Sequence, residues 1–156
     1  MKFILTPELL LPFVISNALA IWILWMSFRK AHVAKGILAI LFLGSAAFNI
    51  YLSFTDPASY RSFADTAISP LYRDFIHGVF SQHTTLIVST IGVGQIFIGT
   101  SMLMEGLRHK VGCIAGSLFG LAIAPLGVGS AFPSSLVLSI CFIVLLMKKE
   151  ETPATV

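Results

Sequence analysis

Five long runs of apolar residues, separated by short polar segments, dominate this sequence. The runs cover residues 9–28, 36–54, 84–107, 111–128 and 132–147. An α-helix rises 1.5 Å per residue, so about 20 apolar residues are enough to cross the hydrocarbon core of a bilayer. The first three runs reach this length, the fourth is at the short end, and the fifth, with about 16 residues, is marginal. The pattern predicts an all-α membrane bundle of five transmembrane helices, forming one domain over residues 1–156.

The last two runs have a second interpretation, a single re-entrant hairpin, because Gly127, Gly129 and Pro133 mark a sharp break between them. The loop charges favour five crossings. With five, seven of the ten Lys and Arg residues fall on one side, namely Arg29, Lys30, Lys35, Arg108, Lys110, Lys148 and Lys149. The other side has Lys2, Arg61 and Arg73 with four acids, Glu8, Asp56, Asp65 and Asp74. The positive-inside rule then predicts a multi-pass protein of the cell membrane, with its amino terminus outside and its carboxyl terminus in the cytoplasm.

Composition supports lipid as the solvent of most of the chain. The sequence of 156 residues is 56% hydrophobic and 11% charged, with a mean hydropathy of +0.92, whereas soluble domains are about 25% charged. A cleaved signal peptide is the alternative for the first run. Arg29 and Lys30 follow that run as a stop-transfer signal, which favours a retained helix.

The segment between the second and third runs, residues 55–83, predicts two short amphipathic helices. They begin at Asp56-Pro57 and Ser69-Pro70, each an N-cap residue followed by proline at the first helical position. Such helices form a lid over the outer end of the bundle, which either only covers the bundle or also contributes to a ligand site. In the second case, four polar residues line an outer vestibule: Arg61, Arg73, Asp74 and His77.

Polar side chains inside the apolar runs are expected to point into the bundle, because facing lipid would be costly. Asn49 and Gln95 lie in the outer halves of their helices and are predicted to join the vestibule as ligand-binding residues. The competing explanation is an interhelical hydrogen bond of about 0.6 kcal/mol. Glu105 is the only acid inside a predicted span. It is explained by an interfacial salt bridge or, in a carrier, by a coupling carboxylate.

Glycines recur at regular spacing in the third and fourth runs. Helices in lipid associate through close backbone contact, which small residues permit. The spacing therefore predicts helix packing at Gly92, Gly99, Gly112, Gly116 and Gly120.

The motifs of known catalytic and cofactor sites are missing from the sequence. Cys113 and Cys141 form no CxxC pair, and no Ser-His-Asp or HExxH pattern occurs. His77 and His83 have no third metal ligand at convincing spacing, and no histidine lies at the depth that a haem requires. We therefore expect no metal, haem, nucleotide or nucleic acid to bind, and we identify no catalytic residue.

The chain from Gly36 onward resembles the DoxX-like family of small bacterial membrane proteins. The resemblance covers about three quarters of the sequence. It rests on Asn49, the Asp56-Pro57 turn, Pro70-Leu71-Tyr72, the Gln95 to Gly99 region and the Ala124-Pro125-Leu126-Gly127 segment. It implies a four-helix core in a bacterial inner membrane, to which the first run adds a helix. Some members are linked to quinone-dependent sulfur oxidation or to redox-stress complexes, and most have no assigned activity, so the resemblance makes quinone the candidate cofactor and carries over no catalytic residue.

Two functions follow as hypotheses. The first is an accessory or redox-linked membrane protein, rather than an enzyme, that binds a small apolar or quinone-like ligand in the outer vestibule. The second is a small oligomeric transporter or ion-coupled carrier that uses Glu105 and the helix break near Pro125. The expected partners are the lipid bilayer and either another membrane protein or further copies of the chain.

Overall fold

The computed structural model describes residues 7–127 and 132–148, and these residues form helices without strands. Five helices are long: α1 Pro7–Arg29, α2 Ala31–Thr55, α5 Thr84–Ser101, α6 Gly106–Ile123 and α7 Ser134–Met147. The short elements between α2 and α5 are a 3₁₀ helix Pro57–Ser62, α3 Phe63–Thr66, α4 Pro70–Phe75 and a π-helical turn Ile76–Phe80. A 3₁₀ turn, Ala124–Leu126, extends α6. The prediction of an all-helical protein is confirmed.

Four helical segments are long and apolar enough to cross a membrane: Leu10–Arg29, Ala31–Thr55, Thr84–Ser101 and Gly106–Leu126. The shortest has 18 residues, which corresponds to about 27 Å. The apolar helix α7 has 14 residues, or about 21 Å, and is shorter than a hydrocarbon core of about 30 Å.

The long helices form a closed ring in which each contacts two neighbours. The order around the ring is α1, α2, α5, α6, α7 and back to α1. Aromatic rings meet inside it, where Phe42 of α2 makes edge-to-face contacts with Phe119 of α6 and Phe142 of α7, at centroid distances of 5.7 and 5.4 Å. Many large apolar side chains on the outside are exposed, including Trp22 and Trp25 of α1. An exposed surface of this kind is compatible with lipid contact.

Glycines lie at the closest helix contacts. On α5, Gly92 faces Ile50 and Ala46 of α2, and Gly99 faces Leu43 and Ala39. On α6, Gly112 faces Ser101 and Met102, Gly116 faces the ring of Phe142, and Gly120 faces Ser135 and Ser139. A side chain at any of these five glycines would meet an atom of the neighbouring helix.

The helix formed by the third apolar run ends before the predicted residue 107. Helix α5 stops at Ser101, and Glu105 lies exposed just before α6 rather than inside a span. The pattern was misleading because the loop itself contains the apolar residues Met102, Leu103 and Met104. Gly106 starts α6 with φ +67°, a left-handed conformation that favours glycine and allows the sharp reversal.

The segment between α2 and α5, residues 56–83, folds back over the end of α6. Pro57 and Pro70 each start a short helix, as the sequence predicts. The Ile68 amide donates a hydrogen bond to the Pro125 carbonyl (2.9 Å). Gly127 has φ +84° and packs so closely on the Thr66 carbonyl that a side chain would overlap it. We call residues 56–83 the connecting segment. The predicted break at Gly129 and the charge at Lys149 lie outside the described residues.

Candidate functional site

A cavity of about 680 Å³ lies inside the helix ring, between α2, α5, α6, α7 and the connecting segment. Most of its lining is aliphatic or aromatic, and among the residues that the structure describes no Asp, Glu, Lys, Arg or His side chain lines it. The lining residues with polar side chains are Ser45, Asn49, Tyr60, Tyr72, Gln95 and Ser135. Apolar enclosure with a few polar groups is the usual composition of a small-molecule site, and the volume lies within the usual range of about 300–1,000 Å³.

Aromatic side chains border the cavity at both ends. Phe42 and Phe119 border it toward the ring interior. In the connecting segment, Tyr60 and Phe80 contact each other at a centroid distance of 6.5 Å, and both line the cavity. Phe48 and Phe75 are lining residues that remain 62% and 44% exposed. The cavity is therefore open to its surroundings rather than sealed.

A hydrogen-bonded chain of three side chains crosses the cavity wall. The Tyr60 hydroxyl donates to Asn49 Oδ1 (2.9 Å), and Asn49 Nδ2 donates to Gln95 Oε1 (2.9 Å). The first bond fixes the orientation of the Asn49 carboxamide, because only its oxygen can accept from the phenol. Burial raises the pKa of Tyr60, so the phenol keeps its proton for this bond. The chain links α2, α5 and the connecting segment.

Gln95 has one hydrogen-bonding group left over. Its Oε1 accepts from Asn49, while its Nε2 donates to no residue that the structure describes. The side chain is 5% exposed and lines the cavity. This nitrogen is not among the fully buried side-chain atoms that lack a partner, so it remains accessible and can donate to a bound molecule.

Ser135 also lines the cavity, although its hydroxyl oxygen has almost no accessible surface. The residue is 1% exposed, and its Oγ has no hydrogen-bond partner in the structure. Ser135 is the second residue of α7, so no earlier turn of this helix supplies a carbonyl oxygen for the usual serine bond within a helix.

Gln95 and Ser135 lie at similar depth in the bundle. Gly112 of α6 packs against Ser101 of α5, and this contact gives a common reference level. Gln95 is six residues from Ser101 along α5, or about 9 Å. Gly120, which contacts Ser135, is eight residues from Gly112 along α6, or about 12 Å. The difference is less than one helical turn.

The six residues predicted for the vestibule separate into two groups. Asn49 and Gln95 line the cavity and hydrogen-bond to each other. The four residues from the connecting segment do not line it and are exposed: Arg61, Arg73, Asp74 and His77. Neighbouring apolar positions occupy the cavity side of the segment instead, because a charge beside this apolar lining would lose part of its hydration. These four residues therefore lie outside the cavity site.

Two of these four residues, Arg61 and Arg73, contact other parts of the protein. Arg61 lines a separate, smaller cavity of about 370 Å³ next to His83 and Thr85. Arg73 Nη2 donates to the Ala67 carbonyl at 3.3 Å, within the connecting segment.

Sequence reasoning missed Tyr60, Tyr72 and Ser135 as site residues. Tyr60 and Tyr72 each precede an arginine, and the prediction selected the charged residue instead of the tyrosine. The Tyr72 hydroxyl donates to the Ala122 carbonyl (2.7 Å), which joins α4 to α6 beside the cavity. No local pattern marks Ser135, since serines occur commonly near the start of helices.

The cysteines belong to the packed interior. Cys113 and Cys141 are free thiols with no exposed surface. The Cys113 sulfur is 3.5 Å from His109 Nε2, one turn earlier on α6. Among the described residues, no group of three or more His, Cys, Asp or Glu side chains is placed to hold a metal ion.

Comparison with known proteins adds no relative. No protein-family model, no curated protein and no solved structure matches the chain. The DoxX-like resemblance accordingly rests on the sequence motifs alone.

Proposed function

We propose that this protein is a multi-pass membrane protein that binds a small apolar or quinone-like ligand in the cavity between α2, α5, α6 and α7. The observation that supports this most is the cavity itself, which combines a volume of about 680 Å³ with an almost wholly apolar lining. Its few polar groups include the Gln95 amide nitrogen, which has hydrogen-bonding capacity to spare. This combination suits a lipid-like molecule with a polar end.

The proposed orientation places five helices across the membrane, with both α1 and α7 ending in the cytoplasm. Two contacts support a parallel arrangement of these helices. The Cys141 sulfur lies 4.0 Å from the Ala20 carbonyl, and Lys148 Nζ donates to the Phe28 carbonyl at 2.7 Å. Helix α7 thus runs beside α1 in the same direction, as a fifth crossing requires. Its 14 residues would be accommodated by local thinning of the bilayer.

An accessory role fits this site better than catalysis. Within residues 7–127 and 132–148, no charged side chain, histidine or cysteine lines the cavity, and these are the usual general acids, bases and strong nucleophiles. The proposal is therefore retention or presentation of a ligand to a partner, with a redox-linked membrane protein as the expected partner for a quinone.

The experiment uses a variant that fills the cavity. Gly44 lines the cavity, and a Cβ atom there would meet no atom within 4 Å, so Gly44→Leu should occupy ligand space with little disturbance of the helix contacts. Gly94→Leu is the matched control, because Gly94 also has open space around it but does not line the cavity.

The measurement has two parts. Full-length protein is purified in mild detergent, and its co-purified small molecules are identified by mass spectrometry. Thermal unfolding is then followed by circular dichroism with an alkylated benzoquinone as the probe. A ligand present at 100 times its dissociation constant stabilises by about 2.7 kcal/mol, which corresponds to an increase in Tm of roughly 5–10 °C.

The wild type and Gly44→Leu should then differ. The wild type and Gly94→Leu should show the increase in Tm, and Gly44→Leu should lose both the increase and the co-purified ligand. Absence of co-purified ligand and of any increase in the wild type would refute ligand binding. An equal increase in Gly44→Leu would refute the location.

A further inference from the structure

We propose that the ligand is a molecule dissolved in the membrane, and that it enters the cavity sideways from the lipid, through a gap between α2 and α7 at the level of Phe48. This inference rests on the proposed function and deepens it. It specifies an uncharged, chain-bearing lipid as the ligand and the acyl-chain region of the bilayer as its source.

The first argument is that the cavity reaches the outer surface of the helix ring at α2. Gly44 and Phe48 lie one turn apart on this helix, and both line the cavity while remaining exposed. Phe48 is 62% exposed, and a Cβ atom at Gly44 would meet no atom within 4 Å. Positions sealed inside the bundle would be buried, so the cavity opens beside this face of α2.

The second argument is that α1 does not close the ring at this level. Helix α1 stands between α2 and α7 in the ring, but none of its described residues lines the cavity, whereas Ser135 and Leu138 of α7 do. Both precede Cys141, whose sulfur lies beside the Ala20 carbonyl of α1. Toward the start of α1 from Ala20, residues 10–19 all remain at least partly exposed. In this half of the bundle, α2 and α7 therefore border the cavity without α1 between them.

The third argument is the depth of the opening. Helix α2 ends at Thr55, and Phe48 and Gly44 precede that end by about 10 and 16 Å along the helix. The hydrocarbon core of a bilayer is about 30 Å thick, so in a spanning helix of 25 residues both positions lie at the depth of acyl chains. Farther in, the contact between Phe42 and Phe142 closes the space between α2 and α7. The opening therefore faces lipid and not water.

The fourth argument is the chemistry of the lining. Among the described residues no charged side chain lines the cavity, so an ionised head group drawn through the gap would lose hydration without gaining a counter-ion. The aliphatic and aromatic lining suits a hydrocarbon chain, and Gln95 Nε2 can still donate to a carbonyl or hydroxyl oxygen. The cavity should therefore select uncharged lipids.

A fluorescence experiment tests the opening without any ligand. Phe48→Trp and its control Phe54→Trp are each made in a background in which the two exposed native tryptophans, Trp22 and Trp25, are replaced by Phe. Phe54 is also exposed, but it lies near the end of α2 and does not line the cavity. Each protein is reconstituted in vesicles of lipids that carry bromine in the acyl chains, and quenching by aqueous iodide is measured in parallel.

The two tryptophans should report different depths. Phe48→Trp should be quenched most by bromine deep in the chains and little by iodide, whereas Phe54→Trp should be quenched most by bromine near the head groups. Strong quenching of Phe48→Trp by iodide, or none by bromine, would overturn entry from lipid and would leave ligand binding in the cavity intact.

An exchange experiment tests the route. The protein is reconstituted in lipid nanodiscs with a trifluoromethyl-labelled alkylated benzoquinone, and fluorine NMR measures the exchange rate between the bound and the lipid-dissolved probe. A probe passing Phe48 must push its ring away from the preferred rotamer, so Phe48→Ala should raise the exchange rate roughly two- to tenfold. Phe54→Ala should leave the rate unchanged. Phe75→Ala, which widens the exposed part of the lining in the connecting segment, should change it less than Phe48→Ala.

The outcomes separate this inference from the proposed function. An increase in Phe75→Ala at least as large as that in Phe48→Ala would show entry past the connecting segment. That result, or an unchanged rate in Phe48→Ala, would overturn entry through the gap, while the signal of the bound probe would still support the proposed function. If the wild type gives no signal of bound probe, the proposed function and the inference both fail.

Discussion

The contact between α6 and α7 at Gly120 allows a quantitative test of the fold. A methyl group added there would lie 2.6 Å from the Ser135 carbonyl oxygen, about 0.8 Å closer than the ordinary contact distance of about 3.4 Å, and would also collide with the Ser139 hydroxyl. The carbonyl belongs to the backbone and cannot rotate away. We therefore expect Gly120→Ala to push α6 and α7 apart.

The expected cost follows from opposing contributions. Overpacking a close contact costs about 1–3 kcal/mol. Disturbing the Ser139–Ser117 hydrogen bond between the helices adds about 0.6 kcal/mol. The better helix propensity of alanine returns up to about 1 kcal/mol. The net loss is about 0.6–3.6 kcal/mol, which lowers Tm by roughly 1–14 °C.

The two native cysteines provide the assay. Both are free and fully buried, so a thiol-reactive fluorogenic dye labels them only when the bundle opens. Gly94→Ala is the control, since a methyl group there meets no atom within 4 Å, and it should leave Tm unchanged or raise it slightly. A Gly120→Ala protein at least as stable as Gly94→Ala would show that α6 and α7 do not approach as closely as described.

Two further predictions concern the connecting segment and the orientation. Tyr60→Phe removes the bond to Asn49 and should destabilise the protein by about 0.5–1.5 kcal/mol in thermal unfolding. Because burial raises the Tyr60 pKa in the folded state, stability in the wild type should fall as pH rises above the unfolded value of about 10, and Tyr60→Phe should lose this part of the decline. A Cys substituted for Lys30 should be labelled by an impermeant maleimide only from the cytoplasmic side of oriented vesicles, and one substituted for Asp65 only from the other side. Labelling of both from one side would refute the proposed orientation.

The sequence predicted the helices better than their ends. Apolar runs identified all five long helices, and the prolines at positions 57 and 70 marked the starts of the short ones. The end of α5 was wrong because Leu103 and Met104 are apolar but belong to a loop, where they remain exposed. Hydropathy reports the solvent around a residue and not its backbone conformation, so an apolar loop is indistinguishable from a helix end.

Only part of the candidate site could be predicted from the sequence. Asn49 and Gln95 were identified because a polar side chain in an apolar run must face away from lipid. The charged residues of the connecting segment were grouped with them, although the structure leaves those residues exposed and out of the cavity. Arg61 and Arg73 were predicted because they are charged. Their neighbours Tyr60 and Tyr72 line the cavity instead.

By itself, the sequence determined that this chain is helical, that at least four of its helices suit a bilayer, and which polar residues could not face lipid. Only the tertiary structure decided which helix faces meet, which glycines contact which neighbours, and that Ser135 reaches the same cavity as Gln95. The physical reason is that lipid and the bundle interior are equally apolar. Transmembrane helices therefore lack the polar outer face that reveals the inward side of a helix in water. Their packing is decided by shape, through contacts between residues far apart in the chain.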